Sequence, residues 1–294
     1  MMVEMGEDRR PSAVAAGTIC MEFQQRAGRT VATRLYRHGN SRISSAIQEP
    51  GADPYYFLIS TGGGYTEGEH YDVSIDVGAG AHALLTTQTP SYIYKCDRGL
   101  TTTQSQVMHV GEGGLLEYYA DEVMPYANAR FDQRSRVRLD DGASLVYVEG
   151  LSSGWSPDER PFRFHEALLS TEVLVGEELV AIERLAVAPG EQGLPYGPGV
   201  AGIGAFEGYT NFASAMIVDQ RLGADDVQGF RDAVAAELPN GVRVGISALD
   251  RWGVALRCLG MDEQRNAKVL QAFVRHYREG LRSLRPLHIR KNRG

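Results

Sequence analysis

The sequence predicts a mainly β protein, in which a strand-rich body is followed by two α-helices in the C-terminal third. Glycine accounts for 34 of the 294 residues, which is about 12% against a usual ~7%, so many tight turns are expected. Short apolar runs recur from Thr18 to Val187, whereas helical periodicity appears only beyond residue 205. Short strands that recur between turns are typical of an all-β architecture.

Alternation is clearest between Tyr71 and Val77, where apolar side chains at every second position would share one face of a strand. Gly78-Ala79-Gly80 then predicts a turn, and Ala81–Thr86 predicts the next strand. The other predicted strands have a similar character: Ile19–Phe23, Thr30–Tyr36, Tyr55–Ser60, Tyr92–Lys95, Gln104–Val110, Leu115–Tyr119, Ser135–Leu139, Ser144–Glu149, Ser170–Val175, Leu179–Val187, Val242–Ala248 and Val254–Cys258. No exact internal repeat is visible, although stacked strands in a β-solenoid do not require one.

Two later segments show the 3.6-residue period of amphipathic helices. The first lies near 224–238, where Val227, Phe230 and Val234 would share one face, and the second lies near 262–280. The predicted organisation is a disordered N-terminus, a single domain and a basic tail. Its boundaries are 1–17 for the N-terminus, 18–284 for the domain (strand-rich 18–187, Gly/Pro-rich loop 188–205, then the helices) and 285–294 for the tail.

The charge of the chain is uneven. The net charge is −7, but the segment from Arg275 onward contains seven cations and one anion, so it carries +6 and the remainder −13. The acidic balance disfavours nucleic acid as a partner. A solvated helix end with a frayed terminus is the simpler interpretation of the basic segment, and a docking surface for an acidic partner is the alternative.

Cysteine usage favours a reducing compartment. Cys20, Cys96 and Cys258 lie far apart, form no CxxC motif and are odd in number, which argues against a disulfide framework. The N-terminal residues lack the pattern of a signal peptide, and no apolar run approaches the ~18–20 residues needed to span a bilayer. We therefore expect a cytoplasmic protein with no membrane segment.

Several catalytic motifs match only in part. Gly197–Gly202 fits G-x-G-x-x-G, but Pro198 removes an N–H and no helical period follows, so a glycine-rich loop is the better interpretation. Gly150–Gly154 fits G-x-S-x-G around Ser152, which would make Ser152 the nucleophile of a β-rich hydrolase. Two prolines in the next seven residues argue against the helix that such a nucleophile needs. No P-loop and no H-E-x-x-H motif is present.

Metal-binding residues are scattered. The seven histidines are never spaced i, i+2 or i, i+4, as a dense first-row metal site would favour, so surface or turn positions are the simpler interpretation. His70, Cys96 and His165 remain candidates for transient contacts with a metal ion, and the residues do not distinguish among them.

Four glutamates lie at or beside apolar strands: Glu69, Glu117, Glu149 and Glu183. If such carboxylates point inward, each costs several kcal/mol unless it is paired, hydrated or holding a cation. Strand periodicity favours outward orientation on half-exposed strands. The alternative is that these side chains line a wet path through the interior.

Blocks of this sequence resemble the urease accessory protein UreD (UreH) family from about Glu22 to the second helix. The blocks are Gly64-x-x-x-Gly68-Glu69, Gly78–Gln88 (GAGAHALLTTQ), Pro90-Ser91-x-x-Tyr94-Lys95, Gly114–Tyr118 (GLLEY), Asn128-Ala129-Arg130, Gly154–Pro157 (GWSP) and Glu183-Arg184-Leu185. Each block alone is only weakly specific for the family, but the occurrence of all of them in the order found in the family is a specific signal.

The resemblance implies a scaffold, not a catalyst. Proteins of this family are β-helical bodies with two helices; they join UreF-like and UreG-like (GTPase) accessory proteins, dock onto apo-urease and pass nickel through a water-filled tunnel. Ni²⁺ in transit must be released, so single carboxylates and hydroxyls suit it better than a tight Cys/His cage. The resemblance places Glu69, Ser91, Glu149 and Glu183 on the nickel path, with Thr87, Tyr94, Lys95 and Glu117 as weaker candidates, and implies no tightly bound cofactor.

Two other functions stay open on the residues alone. One is a hydrolase using Ser152, and the other is a β-sheet binding module without any link to a metal. The expectation for a path is that Glu149→Ala or Glu183→Ala lowers nickel delivery without unfolding the body.

Overall fold

A computed structural model describes residues 15–48, 53–189, 200 and 205–291. It contains two large sheets. The seven-stranded sheet runs, in spatial order, β14 (Glu178–Val187), β13 (Glu166–Val175), β11 (Arg130–Leu139), β8 (Thr102–Val110), β5 (His70–Val77), β1 (Gly17–Arg26) and β2 (Arg29–Gly39). The ten-stranded sheet runs β16 (Arg243–Ala248), β17 (Gly253–Gly260), β15 (Asn211–Asp219), β12 (Ser144–Ser152), β9 (Leu115–Tyr119), β6 (His82–Thr87), β4 (Tyr55–Ser60) and β3 (Ser41–Ile43), with the short β7 (Ser91–Ile93) and β10 (Val123–Pro125) beside this path.

The central strands of both sheets pair in parallel. From β4 to β13 the chain passes repeatedly from one sheet to the other, and each strand pairs in parallel with an equivalent strand of the next coil. This arrangement is a β-solenoid of stacked coils. Antiparallel strands flank it at the edges, among them β2 beside β1 and β14 beside β13. The predicted mainly β, stacked-strand body is therefore confirmed.

The two helices form a third layer against the ten-stranded sheet. Helix α1 spans Val227–Ala235 and follows a 3-10 turn, and helix α2 spans Glu263–Arg275 and continues into a π-helical turn over His276–Leu281. Phe230 and Phe273 pack at their contact, with ring centroids 4.8 Å apart. None of the helices in the described ranges is both long and apolar enough to cross a membrane.

The ten-stranded sheet is consequently covered on both faces. One apolar core lies between the two sheets and includes Ile75, Leu116 and Leu145. A second core lies between this sheet and the helices and includes Val146 and Phe273. Every residue of β9 and of β12 is buried, because neither face of these strands meets solvent.

Some predicted segments fall outside the described residues. These are most of the N-terminal segment 1–17, most of the Gly/Pro-rich loop 188–205 with its G-x-G-x-x-G motif, and the last three residues of the basic tail.

Candidate functional site

A band of polar side chains interrupts the apolar core between the sheets. Gln106, Ser135, Thr171 and Glu183 occupy directly paired positions on four neighbouring strands of the seven-stranded sheet, and all four side chains are buried. Elsewhere on these strands the inward positions are mostly apolar, as in Val137. Because strand pairing aligns the four residues, the band runs across the sheet from its middle to its edge.

The opposite sheet contributes Glu149, which lies at the centre of the band. Its carboxylate accepts hydrogen bonds from Gln133 Nε2 at 3.2 Å, from the Tyr147 hydroxyl at 3.3 Å and from Thr171 Oγ1 at 3.4 Å. The Tyr147 hydroxyl also lies 2.9 Å from Ser135 Oγ. All of these donors are neutral groups, so hydrogen bonding holds the carboxylate without neutralising it.

The pKa of Glu149 is raised to about 7, chiefly by burial and also by the nearby charge of Glu183, while hydrogen bonds from Tyr147 and Thr171 oppose the shift. A buried carboxyl group whose pKa lies near neutrality exchanges its proton easily for another cation. This group is therefore suited to transient contact with a positive ion.

Glu183 marks the outer end of the band and is paired with Arg257 of β17. The Arg257 guanidinium makes a bidentate contact with the Glu183 carboxylate: Nε donates to Oε1 at 2.9 Å and Nη2 donates to Oε2 at 2.7 Å. The Glu183 side chain is 8% exposed, whereas that of Arg257 is 59% exposed. The pair thus joins the two sheets at the outer end of the band, with its arginine partly in solvent.

Arg257→Ala is expected to lower the free energy of unfolding by about 1–3 kcal/mol, because it leaves the buried Glu183 carboxylate without its partner. Urea denaturation at neutral pH measures this loss. Arg184→Ala, which changes an exposed arginine beside Glu183 on the outer face of β14, should stay within about 0.5 kcal/mol. Equal losses in the two variants would contradict the pairing.

Two cavities lie on either side of Glu149 and share it as a lining residue. A small cavity of about 50 Å³ lies between the sheets and is lined by side chains that include Ser91, Gln106 and Gln133. A larger cavity of about 390 Å³ lies on the helical side and is lined by side chains that include Glu122 and Asn266. Four residues line both cavities: Ala120, Asp121, Glu149 and Gly150.

The four shared residues lie at an interruption in the strand pairing of the ten-stranded sheet, which we call the opening. Strand β9 ends at Tyr119 and β10 begins at Val123, so residues 120–122 belong to neither strand, although the Ala120 amide still donates to the Val148 carbonyl at 3.1 Å. Opposite them, Gly150 has no side chain, and a Cβ there would lie 2.8 Å from the Phe212 carbonyl oxygen and 3.4 Å from Glu122 Cβ. The position is too tight for a side chain, so glycine is the residue that allows the backbones of β12 and β15 to approach closely here.

Acidic groups surround the opening on its helical side. Glu122 is buried and accepts a 2.6 Å hydrogen bond from Asn211 Nδ2, and burial raises its pKa to about 7. Asp121 is ion-paired with Lys291 at 2.6 Å. Asp121 and Glu122 were not among the site residues predicted from the sequence, although both lie just after the predicted apolar strand Leu115–Tyr119, a position that could have indicated them.

The predicted nickel-path residues divide between this region and more distant positions. Ser91 and Thr87 line the small cavity together with Glu149, and Thr87 Oγ1 accepts a 2.8 Å hydrogen bond from the Asp121 amide. Glu183 lies at the end of the polar band. Glu69 is half-buried and accepts hydrogen bonds from the Tyr71 hydroxyl at 2.7 Å and the Thr66 amide at 2.8 Å, and Tyr71 itself lines the small cavity.

The other weaker candidates lie away from the opening. Tyr94 packs its ring on Tyr126 at 5.2 Å, and Lys95 is exposed and paired with Asp97 at 2.6 Å. Glu117 is buried on the helical side of β9, in the ionic cluster described below.

The three residues selected for transient metal contacts are dispersed as well. His70 is held between Asp72 and Thr103 on the outer face of β5, at 2.9 and 2.7 Å. Cys96 is buried against the backbone of Arg130 at 3.3 Å, and His165 is exposed. Among the residues that the structure describes, no cluster of three or more His, Cys, Asp or Glu could hold a metal ion.

The orientation that periodicity favours for the glutamates is wrong for Glu117, Glu149 and Glu183, all of which are buried. Glu117 and Glu149 belong to strands covered on both faces, so alternation cannot report their orientation. Glu183 points inward because its strand packs over Arg257 of the facing sheet.

Glu117 forms a buried ionic cluster with the C-terminal segment. Its carboxylate contacts Arg278 Nη1 and the Tyr119 hydroxyl, and it lies 2.5 Å from His82 Nε2. Burial opposes ionisation, but the hydrogen bond from His82 and the charge of Arg278 outweigh it and lower the pKa of Glu117 to about 2. Arg278 is also paired with Asp53 at 2.9 Å.

The interpretation of the basic segment as solvated is therefore wrong for three of its cations. Arg278 is fully buried, Arg282 pairs with Asp219 at 3.0 Å and Lys291 pairs with Asp121 at 2.6 Å. Buried carboxylates of the body, not solvent, surround these side chains.

Ser152 does not have the environment of a nucleophile. It is the last residue of β12, it is buried, and its hydroxyl donates a weak 3.4 Å hydrogen bond to the Val123 carbonyl. The chain continues through turns and bends over residues 153–165, not through a helix.

Comparisons with known sequences identify the family of this chain. The family profile described as "UreD urease accessory protein" matches residues 15–291. The urease accessory protein UreD of Streptococcus salivarius (strain 57.I) is 38% identical over 94% of this chain and 96% of its own length. UreD of Streptococcus thermophilus (strain CNRZ 1066) is 37% identical over the same shares, and UreD of Lachnoclostridium phytofermentans (strain ATCC 700394 / DSM 18823 / ISDg) is 28% identical over 87% of this chain and 90% of its own length. A family profile spanning nearly the whole chain and relatives of matching length together establish that this chain belongs to the UreD family of urease accessory proteins.

Proposed function

We propose that this protein is a non-catalytic scaffold in urease maturation that conducts Ni²⁺ through its interior toward the urease active site. The observation that carries the proposal is that two cavities, one on each side of the ten-stranded sheet, share Glu149 as a lining residue. A hydrated ion that enters between the sheets meets hydroxyls and amides first, then the Glu149 carboxyl, and then Asp121 and Glu122. These are single hard ligands with no dense cage around them, which suits an ion that has to be released.

The partners follow from the same proposal. Apo-urease is the recipient of the ion, and UreF-like and UreG-like proteins, the latter a GTPase, are the accessory partners that supply it. The free thiols of Cys20, Cys96 and Cys258 fit a reducing cytoplasm as the place of assembly.

The direct test is the nickel content of urease produced with and without this chain, in cells that hold the remaining accessory proteins. We expect urease made without the chain to contain little nickel and to be inactive. Equal nickel content in both preparations would reject the proposal. A monodisperse chain that displays hydrolytic activity by itself would favour the hydrolase alternative.

Ala120→Leu tests the passage itself, because Ala120 lines both cavities. The larger side chain should narrow the opening and reduce the rate of urease activation by about tenfold, while a partly buried site tolerates it at a cost of about 1–3 kcal/mol. Ala186→Leu, at an exposed position of β14, is the matched control and should activate urease like the wild type. Normal activation by Ala120→Leu would mean that ions do not pass this point.

A further inference from the structure

The segment after the π-helical turn crosses the larger cavity. Pro286, Leu287 and Ile289 line this cavity together with Lys291. Two hydrogen bonds fix the course of the segment: the Arg278 guanidinium donates to the Arg285 carbonyl at 2.7 Å, and the Arg290 amide donates to the Tyr55 hydroxyl at 3.0 Å. The backbone beside Lys291 is therefore anchored to the body.

This anchoring places an ammonium group at the junction of the cavities. Lys291 Nζ lies 2.6 Å from Asp121 Oδ1, and both side chains are only 10% exposed. Asp121 lines both cavities, as Glu149 does, and its amide is held by Thr87 Oγ1 at 2.8 Å. The carboxylate is consequently fixed by the body, whereas its cation is attached through four flexible methylene groups.

We propose that Lys291 is a tethered counter-ion that determines which cations traverse the opening: an ion passes Asp121 only by displacing the lysine ammonium. The inference rests on the proposed function. A divalent ion has twice the charge of the ammonium and so gains more from Asp121 and the neighbouring carboxylates than the ammonium loses. A monovalent ion carries the same charge as the ammonium and has no such advantage, so it is kept out.

The same contact also explains how the opening stays occupied between transfers. Without a cation, Asp121 would be a largely buried carboxylate beside Glu122 and Glu149, an arrangement that like-charge repulsion and desolvation disfavour. The ammonium neutralises Asp121 at rest and returns to it after an ion has passed. No resident metal ion is needed for this state.

Titration of the full-length chain with NiCl₂, with and without excess KCl, tests the inference. We expect Lys291→Gln to bind Ni²⁺ about tenfold more tightly than the wild type, because no tethered cation competes for Asp121. We also expect KCl, matched for ionic strength against a choline salt, to weaken Ni²⁺ binding to Lys291→Gln but not to the wild type. Lys291→Arg keeps the charge and should stay close to the wild type, and adding Asp121→Asn to Lys291→Gln should abolish the gain.

Unchanged Ni²⁺ affinity in Lys291→Gln would overturn the inference, and so would equal gains in Lys291→Gln and Lys291→Arg, since both would show that the charge of Lys291 does not compete. Circular dichroism of each variant checks that the fold persists. If Lys291→Gln does not fold, Asp121→Asn alone should still bind Ni²⁺ no more tightly than the wild type, and tighter binding would again overturn the inference. Failure of the proposed function would be recognised by a different result: the nickel content of urease would then be the same with and without the wild-type chain.

Discussion

Arg278→Ala is expected to lower the free energy of unfolding by about 3–5 kcal/mol, the loss that follows when one partner is removed from a buried ion pair. Arg278 and Glu117 are both almost completely buried, with side chains 1% and 0% exposed. With the guanidinium gone, the Glu117 carboxylate keeps only His82 and Tyr119, and Asp53 loses its partner too. Urea denaturation at pH 7 measures the difference.

Arg136→Ala is the matched control. Arg136 pairs with Glu172 at 2.8 Å on the outer face of the seven-stranded sheet, where the two side chains are 58% and 39% exposed, so its removal should cost less than about 1 kcal/mol. If Arg278→Ala and Arg136→Ala had the same small effect, the buried cluster would not be stabilising.

Acid provides a second measurement of the same cluster. The pKa of Glu117 is lowered from 4.5 to about 2, so its contribution is present above pH 4.5 and is lost as the pH falls through 2. The difference between wild type and Arg278→Ala should therefore be largest near neutrality and shrink in strong acid. A difference that grows on acidification would contradict the assignment.

The cluster also shows why a local interpretation of the C-terminal segment fails. The helix predicted near 262–280 corresponds to α2 and its π-helical continuation, and Phe273 and Tyr277 of its apolar face are buried, whereas Leu281 is exposed. The sequence predicts solvent around Arg278 because arginine is rarely buried. The partner that reverses this expectation, Glu117, lies 161 positions away, and only the packing of the helices on the ten-stranded sheet brings the two together.

Alternation is visible in the sequence only where one face of a strand meets solvent. Strands β9 and β12, which are covered on both faces, were predicted from their apolar runs, but without the orientation of their side chains. The alternation of β5 is visible in the sequence and in its burial. Strand β15, which is buried at all but one position, has no alternation and was missed, because a strand covered on both faces is apolar throughout or shows no period. The same coverage conceals the orientation of Glu149, whose strand β12 is buried at every residue.

The candidate path was predicted in part through family resemblance, which selected Ser91, Glu149 and Thr87, all of which line the small cavity. The opening could not be predicted from the sequence. It depends on the interruption of pairing between β9 and β10 and on the close backbone approach at Gly150, and both are properties of how neighbouring strands align. The role of Lys291 depends on the same alignment.

Glu149→Gln is expected to make the protein more stable and less effective. Glutamine keeps the hydrogen-bonding shape of Glu149 but carries no charge, so about tenfold slower urease activation is expected from the loss of roughly 1.4 kcal/mol of ion stabilisation. The substitution also removes the cost of burying an ionised carboxylate at this position, which should stabilise the folded protein. The pKa of Glu149 is raised from 4.5 to about 7 in the folded protein. The contribution of Glu149 to the free energy of unfolding is therefore most favourable below pH 4.5, and it is lost as the pH rises through 7.

The stability gain of Glu149→Gln should accordingly be near zero at pH 4.5 and reach about 3 kcal/mol at pH 8, since a pKa difference of ~2.5 units is worth ~1.36 kcal/mol per unit. Urea denaturation across this pH range gives the curve, and urease activation gives the functional effect. Glu172→Gln, at the partly exposed pair with Arg136, should change neither by much. A less stable Glu149→Gln at pH 8 would show that the ionised carboxylate is well solvated or paired. Unchanged urease activation would remove Glu149 from the path, because a charge kept in the interior at a cost in stability must be explained by what it does for the passing ion.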